Sequence, residues 1–358
     1  MVLLDGGNGT TLADDPGNEL DTGLWSATLL VKHPEKIARL HQSWEKAGAD
    51  IITSCSYQAT VQGFENYLLK QTHTEQNDVE KPSKEADENA THLPRLNSPL
   101  DFLRSSIGVA HKSLSTAKVG LSLGPFGATL TPPQDYAGIY PSPYNQLEPL
   151  KNFHLDRLLD YANDEATWRK VDMVIFETIP NLLEALAVRS AWSTLLQSLE
   201  DRYEKTECIK WWVKPWVLSF VFAGSSGQFA SGASPTEVLN AALGLSKDLD
   251  QLSLPRPSAV GVNCTKLQFI DKIVSAWTDL TETQSLRTLE SPAPWLWMYP
   301  DGGLVYDVER RCWSGGQIGT DQWARQLMNI AQQASLHWPG VVVGGCCKTG
   351  PTHIRALK

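Results

Sequence analysis

The sequence predicts an α/β protein of parallel βαβ units, because short apolar runs alternate with stretches that have helical periodicity. Eight runs have the length of strands: they are Val2–Leu4, Asp50–Thr53, Lys118–Leu123, Met173–Phe176, Trp216–Phe222, Ala259–Asn263, Trp295–Tyr299 and Val341–Gly344. Runs that are apolar throughout, as at the eighth, are typical of strands buried on both faces. A (β/α)8 barrel is the simplest closure of eight strands, and a doubly wound open sheet is the alternative.

Amphipathic helices are predicted between these strands. Four apolar stripes follow the 3.6-residue period, and they run from Ile37 to Ala47, Leu155 to Ala162, Phe269 to Trp277 and Trp323 to Ala334. Two further helix starts are marked by a capping residue three positions before a glutamate, at Ser234 with Glu237 and at Asn181 with Glu184. In either architecture we expect ligands to bind at the C-terminal ends of the strands.

Length and composition indicate a single large core. The chain has 358 residues, of which 42% are hydrophobic and 20% charged, and a net charge of −9. These values exclude a disordered chain and a small disulfide scaffold. The acidic balance favours neither nucleic acid nor an anionic membrane as a partner, and no apolar run spans a bilayer. The first nine residues have the pattern of a strand and a turn rather than a secretory signal, so we expect a reducing, cytoplasmic compartment.

One segment departs from this pattern. Residues 70–97 are polar and acidic and contain almost no large apolar side chain. We interpret them as a mobile or disordered insertion after the second strand. The remainder of residues 1–358 is predicted to be one domain.

Three of the six cysteines follow predicted strands. Cys264 follows the sixth strand, and Cys346 and Cys347 follow the eighth, so we expect all three on one rim. Three thiolates suit Zn²⁺ and leave a fourth tetrahedral position open. Their spacing alone also permits buried core cysteines or a vicinal disulfide. The cysteines without this context are interpreted as structural, and they are Cys55, Cys208 and Cys312.

Two carboxylates also stand at strand ends. Asp5 and Glu177 could bind an ammonium group or form an acid/base pair, and the bland alternative is a loop hydrogen bond. The amides of Gly6 and Gly7 could donate to a substrate carboxylate. Together these groups could hold the two ends of an amino acid. Aromatic residues in the same loops either form a cation-binding cage or simply pack, and they are Trp25, Tyr57, Phe126, Tyr136, Tyr140, Tyr144 and Tyr299.

These motifs resemble those of the homocysteine S-methyltransferases over nearly the whole chain. The resemblance rests on the segments Leu3–Thr10, Gly48–Ala59, Leu123–Ala128, Phe176–Asn181, Gly261–Thr265 and Gly344–Thr349. It implies a single (β/α)8 TIM-type barrel with one Zn²⁺ per chain, bound by Cys264, Cys346 and Cys347. It also implies that the thiolate of homocysteine takes the fourth position on the zinc.

The resemblance further implies the roles of the other site residues. Asp5 and Glu177 match positions near the ammonium group of homocysteine, and Gly6 and Gly7 match positions near its carboxylate. The resemblance also implies a sulfonium methyl donor, S-methylmethionine or S-adenosylmethionine, and methionine as the product. The competing hypotheses are a zinc-dependent hydrolase and an inactive barrel that binds zinc or thiols.

The sequence departs from the family pattern by the insertion at residues 70–97, which has no counterpart there, and by changes at two places. Residues 301–304 read Asp-Gly-Gly-Leu where we expect Asn-Ser-Gly-Glu, which removes an acidic residue at Leu304. Thr11 stands where relatives usually have glutamate. Neither change affects the three cysteines.

Overall fold

Eight parallel strands form the centre of the structure, a computed structural model that describes residues 1–21, 23–77, 98–203, 210–224, 226–245, 253–284, 292–307, 312–315 and 318–358. The strands are β1 (Val2–Leu3), β2 (Ile51–Thr53), β3 (Lys118–Leu123), β4 (Met173–Ile179), β5 (Trp216–Phe220), β6 (Ala259–Asn263), β7 (Trp295–Tyr299) and β10 (Val341–Val343). All eight predicted strands are therefore confirmed. The largest difference is in β4, which continues past Phe176 to Ile179.

The strands close into a barrel. Their order is β1-β10-β7-β6-β5-β4-β3-β2, and every neighbouring pair is parallel. A parallel bridge between Leu4 and Ile51 joins the two end strands. The Asp5 amide donates to the Ile51 carbonyl at 3.0 Å in the same seam. The predicted (β/α)8 barrel is confirmed, and the open sheet is excluded.

Helices cover the outside of the barrel. They are α1 (Asn8–Ala13), α2 (Leu29–Lys32), α3 (Pro34–Ala47), α4 (Val61–Asn77), α5 (Pro99–Ser113), α6 (Leu147–Ala162), α7 (Glu165–Trp168), α8 (Leu182–Tyr203), α9 (Pro235–Leu243), α10 (Leu267–Gln284), α11 (Thr320–Ala334) and α12 (Pro351–Ala356). The four predicted stripes lie on α3, α6, α10 and α11. Across the described ranges, no helix is long and apolar enough to cross a membrane.

The two predicted helix starts are confirmed, with one difference. Ser234 and Glu237 form a reciprocal capping box at the start of α9. Asn181 caps α8, because its Oδ1 accepts from the Glu184 amide at 2.8 Å. The Glu184 carboxylate does not turn back to the cap, however, and is fully buried in the interior.

The acidic segment begins within a helix. Residues 70–77 continue α4, so its first turns are helical rather than loop. Residues 78–97 lie outside the described residues, and the mobile insertion stays a prediction there. A short antiparallel hairpin of β8 (Val305–Asp307) and β9 (Cys312–Ser314) follows β7 and was not predicted.

The inside of the barrel has an apolar layer and a polar layer. The apolar layer consists of Leu4, Ile51, Ile175, Val217, Ala259, Trp297 and Val342. Side chains alternate across a strand, so the residue two positions beyond an interior residue faces the interior again. At the C-terminal end of the barrel these positions form a buried polar ring, whose members are Thr53, Ser122, Glu177, Ser219, Asn263 and Tyr299.

Candidate metal and amino-acid site

The three strand-end cysteines form one cluster. The sulfur atoms of Cys264, Cys346 and Cys347 all lie within 4.8 Å of one another. Cys264 and Cys346 are joined as a disulfide with a Cα–Cα distance of 5.4 Å, and Cys347 is a free thiol. A vicinal disulfide between Cys346 and Cys347 is therefore wrong. The alternative of buried free core cysteines is also wrong, because Cys346 and Cys347 are only partly buried and Cys264 is paired with Cys346.

The three sulfur donors suit a tetrahedral metal once the Cys264–Cys346 disulfide is reduced, and the distance between the Cys264 and Cys347 sulfurs already matches such a site. Zinc–sulfur bonds of about 2.3 Å place neighbouring ligand sulfurs about 3.8 Å apart. The Cys264 and Cys347 sulfurs are separated by 3.9 Å. Reduction of the Cys264–Cys346 disulfide would supply the second and third thiols of the set. Burial, together with nearby carboxylates, raises the pKa of Cys347 to about 12, so its thiolate requires a compensating cation.

Irregular backbone at the strand ends turns these sulfurs toward one point. Cys264 has a positive φ of 46°, immediately after the last residue of β6. Cys346 follows a glycine pair in which a side chain at Gly344 would collide with Leu4. Cys346 is fixed by its amide, which donates to the Pro300 carbonyl at 2.9 Å.

Asp5 lies at the mouth of the barrel with its carboxylate held from two sides. Its Oδ2 accepts from the Thr53 amide at 2.8 Å, the Thr53 hydroxyl at 2.9 Å and the Asn8 side chain at 2.9 Å. Asn8 is held in turn by the Trp44 indole, which donates to it at 2.7 Å. Burial raises the pKa of Asp5 to about 8, and the charge of Glu177 adds to the effect.

Glu177 belongs to the polar ring. Its carboxylate accepts a hydrogen bond from the Ser122 hydroxyl. Burial raises the pKa of Glu177 to about 7. The Tyr299 hydroxyl is close to Glu177, whose charge adds to burial in raising the pKa of Tyr299. This hydroxyl makes no well-aligned hydrogen bond with the described residues. The two buried carboxylates and the Tyr299 hydroxyl therefore lie close enough to interact electrostatically.

The glycine pair after Asp5 serves close packing. A side chain at Gly6 would meet Trp44 at 2.7 Å, and one at Gly7 would meet the Cys346 carbonyl. The Gly7 amide donates to the Thr349 carbonyl at 3.1 Å. Its donor is therefore already used in the structure, which leaves the Gly6 amide as the candidate for a ligand carboxylate.

The aromatic residues divide into two groups. Phe126 stacks on Tyr144 at 3.9 Å between ring centroids and contacts Tyr140 edge-on at 5.3 Å, so these three pack against one another. Tyr136 instead reaches the cluster, with its hydroxyl 3.8 Å from the Cys347 sulfur. Tyr57 donates to Asp135 beside it at 3.0 Å. Trp25 lies beside Gly9 at the start of α1.

The residues that depart from the family pattern adjoin the cluster. The Gly302 amide donates to the Cys347 carbonyl at 2.9 Å, and the Gly303 amide donates to the Asp301 carboxylate at 2.8 Å. Burial raises the pKa of Asp301. Asp301 thus supplies a carboxylate beside Cys347 although Leu304 does not.

Sequence reasoning missed Asn263, which links the two halves of the site. Its Oδ1 accepts from the Thr178 amide and the Ser219 hydroxyl, and its Nδ2 lies 3.9 Å from the Cys346 sulfur. The available signal was a polar residue at the inward position of an otherwise apolar strand.

Of the other cysteines, Cys55 is buried beside Ser26, as expected of a structural residue. Cys312 lies on β9, and Cys208 is outside the described residues.

The fold and the site together define a (β/α)8-barrel enzyme with a thiol cluster and a carboxylate pocket at the C-terminal rim. Its sequence matches the family described as homocysteine S-methyltransferase over residues 2–358. Homocysteine S-methyltransferase 2 of Arabidopsis thaliana is 33% identical, with 99% of this chain and 91% of the relative aligned. Selenocysteine Se-methyltransferase of Brassica oleracea var. italica is 32% identical, with 99% and 87% aligned.

Solved structures show the same fold. The metallated form of the homocysteine methyltransferase MmuM from Escherichia coli superposes with a TM-score of 0.61 at 22% identity, over 100% of this chain and 95% of that chain. The oxidized form of MmuM gives 0.62 at 24% identity, over 100% and 94%. The chain belongs to the homocysteine S-methyltransferase family, and its enzyme class is that of methyltransferases.

Proposed function

We propose that the protein transfers a methyl group from a sulfonium donor to the sulfur of homocysteine and forms methionine. The observation that carries this proposal is the thiol cluster beside a carboxylate pocket, on the barrel of this family. The bond from the methyl carbon to the donor sulfur breaks as a bond to the homocysteine sulfur forms. The broken bond's electron pair stays on the donor sulfur, which becomes a neutral thioether, and the thiol proton is released.

Zinc is the metal that these ligands favour. Cys264, Cys346 and Cys347 would hold one Zn²⁺, because thiolates are soft ligands and three of them leave one position open. Bound zinc would supply a Lewis acid that keeps the homocysteine sulfur deprotonated at neutral pH. We place the protein in the cytoplasm, where a reducing environment keeps Cys264 and Cys346 as thiols.

Asp5 and Glu177 would receive the ammonium group of homocysteine. Both carboxylates are buried, and neither forms an ion pair with a described residue. An arriving cation favours their ionised forms and offsets the cost of burial that raises their pKa values. The Gly6 amide would donate to the carboxylate end of the amino acid. These contacts orient the sulfur toward the cysteine cluster.

Methyl transfer requires no proton transfer at the carbon. The protein therefore acts by alignment of the two sulfurs and by exclusion of water. The polar ring contributes to alignment, since its buried hydrogen bonds fix Asp5, Glu177 and Asn263 in one layer. A sulfonium loses its positive charge on transfer, so groups that attract cations assist donor binding more than the transition state.

A donor and acceptor panel tests the reaction on reduced, zinc-loaded protein. Homocysteine and selenocysteine serve as acceptors, and S-methylmethionine, S-adenosylmethionine and betaine as donors. We expect methionine from homocysteine with a sulfonium, loss of activity on chelation, and recovery on addition of zinc. Serine variants of the three cluster cysteines should lose both zinc and turnover. Cys55→Ser is the matched control, because Cys55 is buried away from the cluster and contacts Ser26.

The outcomes separate the competing functions. Turnover that survives in the cluster variants would refute the zinc assignment. Absence of turnover with every donor, on protein shown to hold zinc, would favour an inactive thiol-binding barrel. Incorporation of oxygen from labelled water into a product would favour a hydrolase.

A further inference from the structure

A single buried carboxylate holds both ends of the rim loop, which we define as residues 126–140. Glu184 on α8 accepts from the Phe126 amide at 2.6 Å and from the Tyr140 hydroxyl at 2.5 Å. His154 on α6 lies 3.0 Å from the same carboxylate. Glu184 and His154 are fully buried. The course of the rim loop is therefore fixed from the protein interior.

The middle of the rim loop reaches the thiol cluster. The Tyr136 hydroxyl is 3.8 Å from the Cys347 sulfur, and Asp135 accepts from the Tyr57 hydroxyl at 3.0 Å. Tyr136 is 37% exposed, so part of this aromatic side chain remains open to solvent. A ligand that approaches Cys347 from solvent would thus meet an aromatic ring and a carboxylate.

Four carboxyl groups lie at the mouth of the barrel. Asp5 and Glu177 form an inner pair of carboxylates, whereas Asp135 and Asp301 lie nearer Cys347. Within the described residues none of the four is in an ion pair. The ammonium group of one bound amino acid can contact only the inner pair, Asp5 and Glu177. Lys266 already interacts with Asp301 of the outer pair, so Asp135 is the carboxylate left for a second cation.

We propose that Asp135 and Tyr136 form the binding surface for the cationic sulfonium donor, with Asp301 as a second carboxylate and Glu184 as the residue that positions the loop. The inference rests on the proposed methyl transfer and assigns residues to its donor. An aromatic face attracts a cation, and an adjacent carboxylate strengthens that attraction. Because the donor becomes a neutral thioether on transfer, the same groups hold the product less tightly and favour its release.

Steady-state kinetics of loop variants tests the assignment. Asp135→Asn and Tyr136→Ala should each raise the KM for the sulfonium about tenfold, the size expected for a partly desolvated cation contact. The KM for homocysteine and the zinc content should stay within about twofold of the wild-type values. A tenfold change in the donor KM is readily distinguished from a change of that size. Tyr136→Phe keeps the aromatic face and should raise the KM for the sulfonium less than Tyr136→Ala does. Tyr144→Leu is the matched control, because Tyr144 stacks on Phe126 and does not reach the cluster.

Equilibrium binding provides a measurement that does not require turnover. Calorimetry on zinc-loaded protein compares S-methylmethionine with methionine, and S-adenosylmethionine with S-adenosylhomocysteine, so that each pair differs in the sulfonium charge. The wild type should prefer the charged member, and Asp135→Asn should reduce that preference about tenfold.

Equal losses for the charged and neutral ligands would overturn the inference, as would a rise in the KM for homocysteine alone. A protein that binds sulfonium through Asp135 but forms no methionine would refute the proposed function while supporting the donor surface. Normal methionine formation with unchanged donor KM in both loop variants would refute the donor surface alone.

Discussion

Replacement of Asn263 by alanine tests whether the polar ring holds the cysteine cluster in place. Asn263 is completely buried. Its side chain accepts from the Thr178 amide at 2.9 Å and the Ser219 hydroxyl at 2.7 Å, and it donates to the Thr178 hydroxyl at 2.8 Å. Alanine would remove all three hydrogen bonds and leave the Thr178 amide without its acceptor.

The expected magnitude follows from these contacts. A buried hydrogen bond contributes about 1 kcal/mol, so the loss of three lowers the free energy of unfolding by about 3 kcal/mol. At about 2.1 cal/mol/K per residue, the unfolding entropy of a chain of this length is about 0.75 kcal/mol/K, and Tm should fall by about 4 °C. Asn263 precedes Cys264 and adjoins Cys346, so zinc affinity should also fall by about 10-fold to 100-fold.

The assay combines thermal unfolding of the reduced, metal-free protein with competition for zinc against a chromophoric chelator. Thr278→Val is the control, since Thr278 accepts one buried hydrogen bond, from the Trp338 indole at 3.0 Å, within the helical layer. It should lower Tm by about 1 °C, in proportion to one hydrogen bond, and leave zinc affinity unchanged. An Asn263→Ala variant with the zinc affinity of the wild type would refute the supporting role of Asn263.

Three further predictions address the loop, the carboxylates and the acceptor. Glu184→Gln should speed amide hydrogen exchange in residues 127–139 by about tenfold, because it weakens charge-assisted hydrogen bonds at both ends of the rim loop. Arg189→Lys on the same helix should not change this exchange, and equal exchange rates in the two variants would contradict the positioning role of Glu184. Burial raises the pKa values of Asp5 and Glu177, so these two groups bind more protons in the folded state and destabilise the metal-free, substrate-free protein as pH rises from about 5 to about 8, whereas buried His41, whose pKa burial lowers to about 4, acts in the opposite direction. The Tm of the wild type relative to that of Asp5→Asn should therefore fall over this range, and equal pH slopes in the two proteins would refute the assignment. Asp5→Asn should also raise the KM for homocysteine at least about tenfold, because a charge-assisted hydrogen bond is lost, and the zinc content should stay constant. Loss of zinc from this variant would instead show that Asp5 supports the metal ligands.

The barrel and the cysteine cluster could be predicted because their signals are local. A strand buried on both faces is apolar throughout, as in Val341–Val343, and the chain turns soon after it. Parallel strands bring their ends to one rim, so residues that follow different strands become neighbours without any long-range information. Cys264 and Cys346 are 82 residues apart in sequence and meet for this reason.

Other features depend on contacts that no local pattern records. Thr178 has a positive φ of 62°, which sequence preferences assign to glycine or asparagine, and the Asn263 side chain stabilises it across the barrel. The grouping of Phe126 with Tyr144 rather than with the cluster is set by how the loop folds back on itself. The use of the Gly7 amide by Thr349 likewise depends on two segments from opposite ends of the barrel sequence.

The pairing of β1 with β10 imposes an order on the maturation of the enzyme. Val2 pairs with Val342, and the Gly345 amide donates to the Asp5 carbonyl at 2.9 Å. The first strand of the barrel therefore completes its pairing only after the last strand has been synthesised. Until β10 is made, β1 and β7 both present unpaired edges, and two of the three cluster cysteines do not yet exist. Contacts of such long sequence separation form slowly. Binding of the proposed metal would thus follow closure of the barrel. The nascent chain would need protection from aggregation until the barrel has closed.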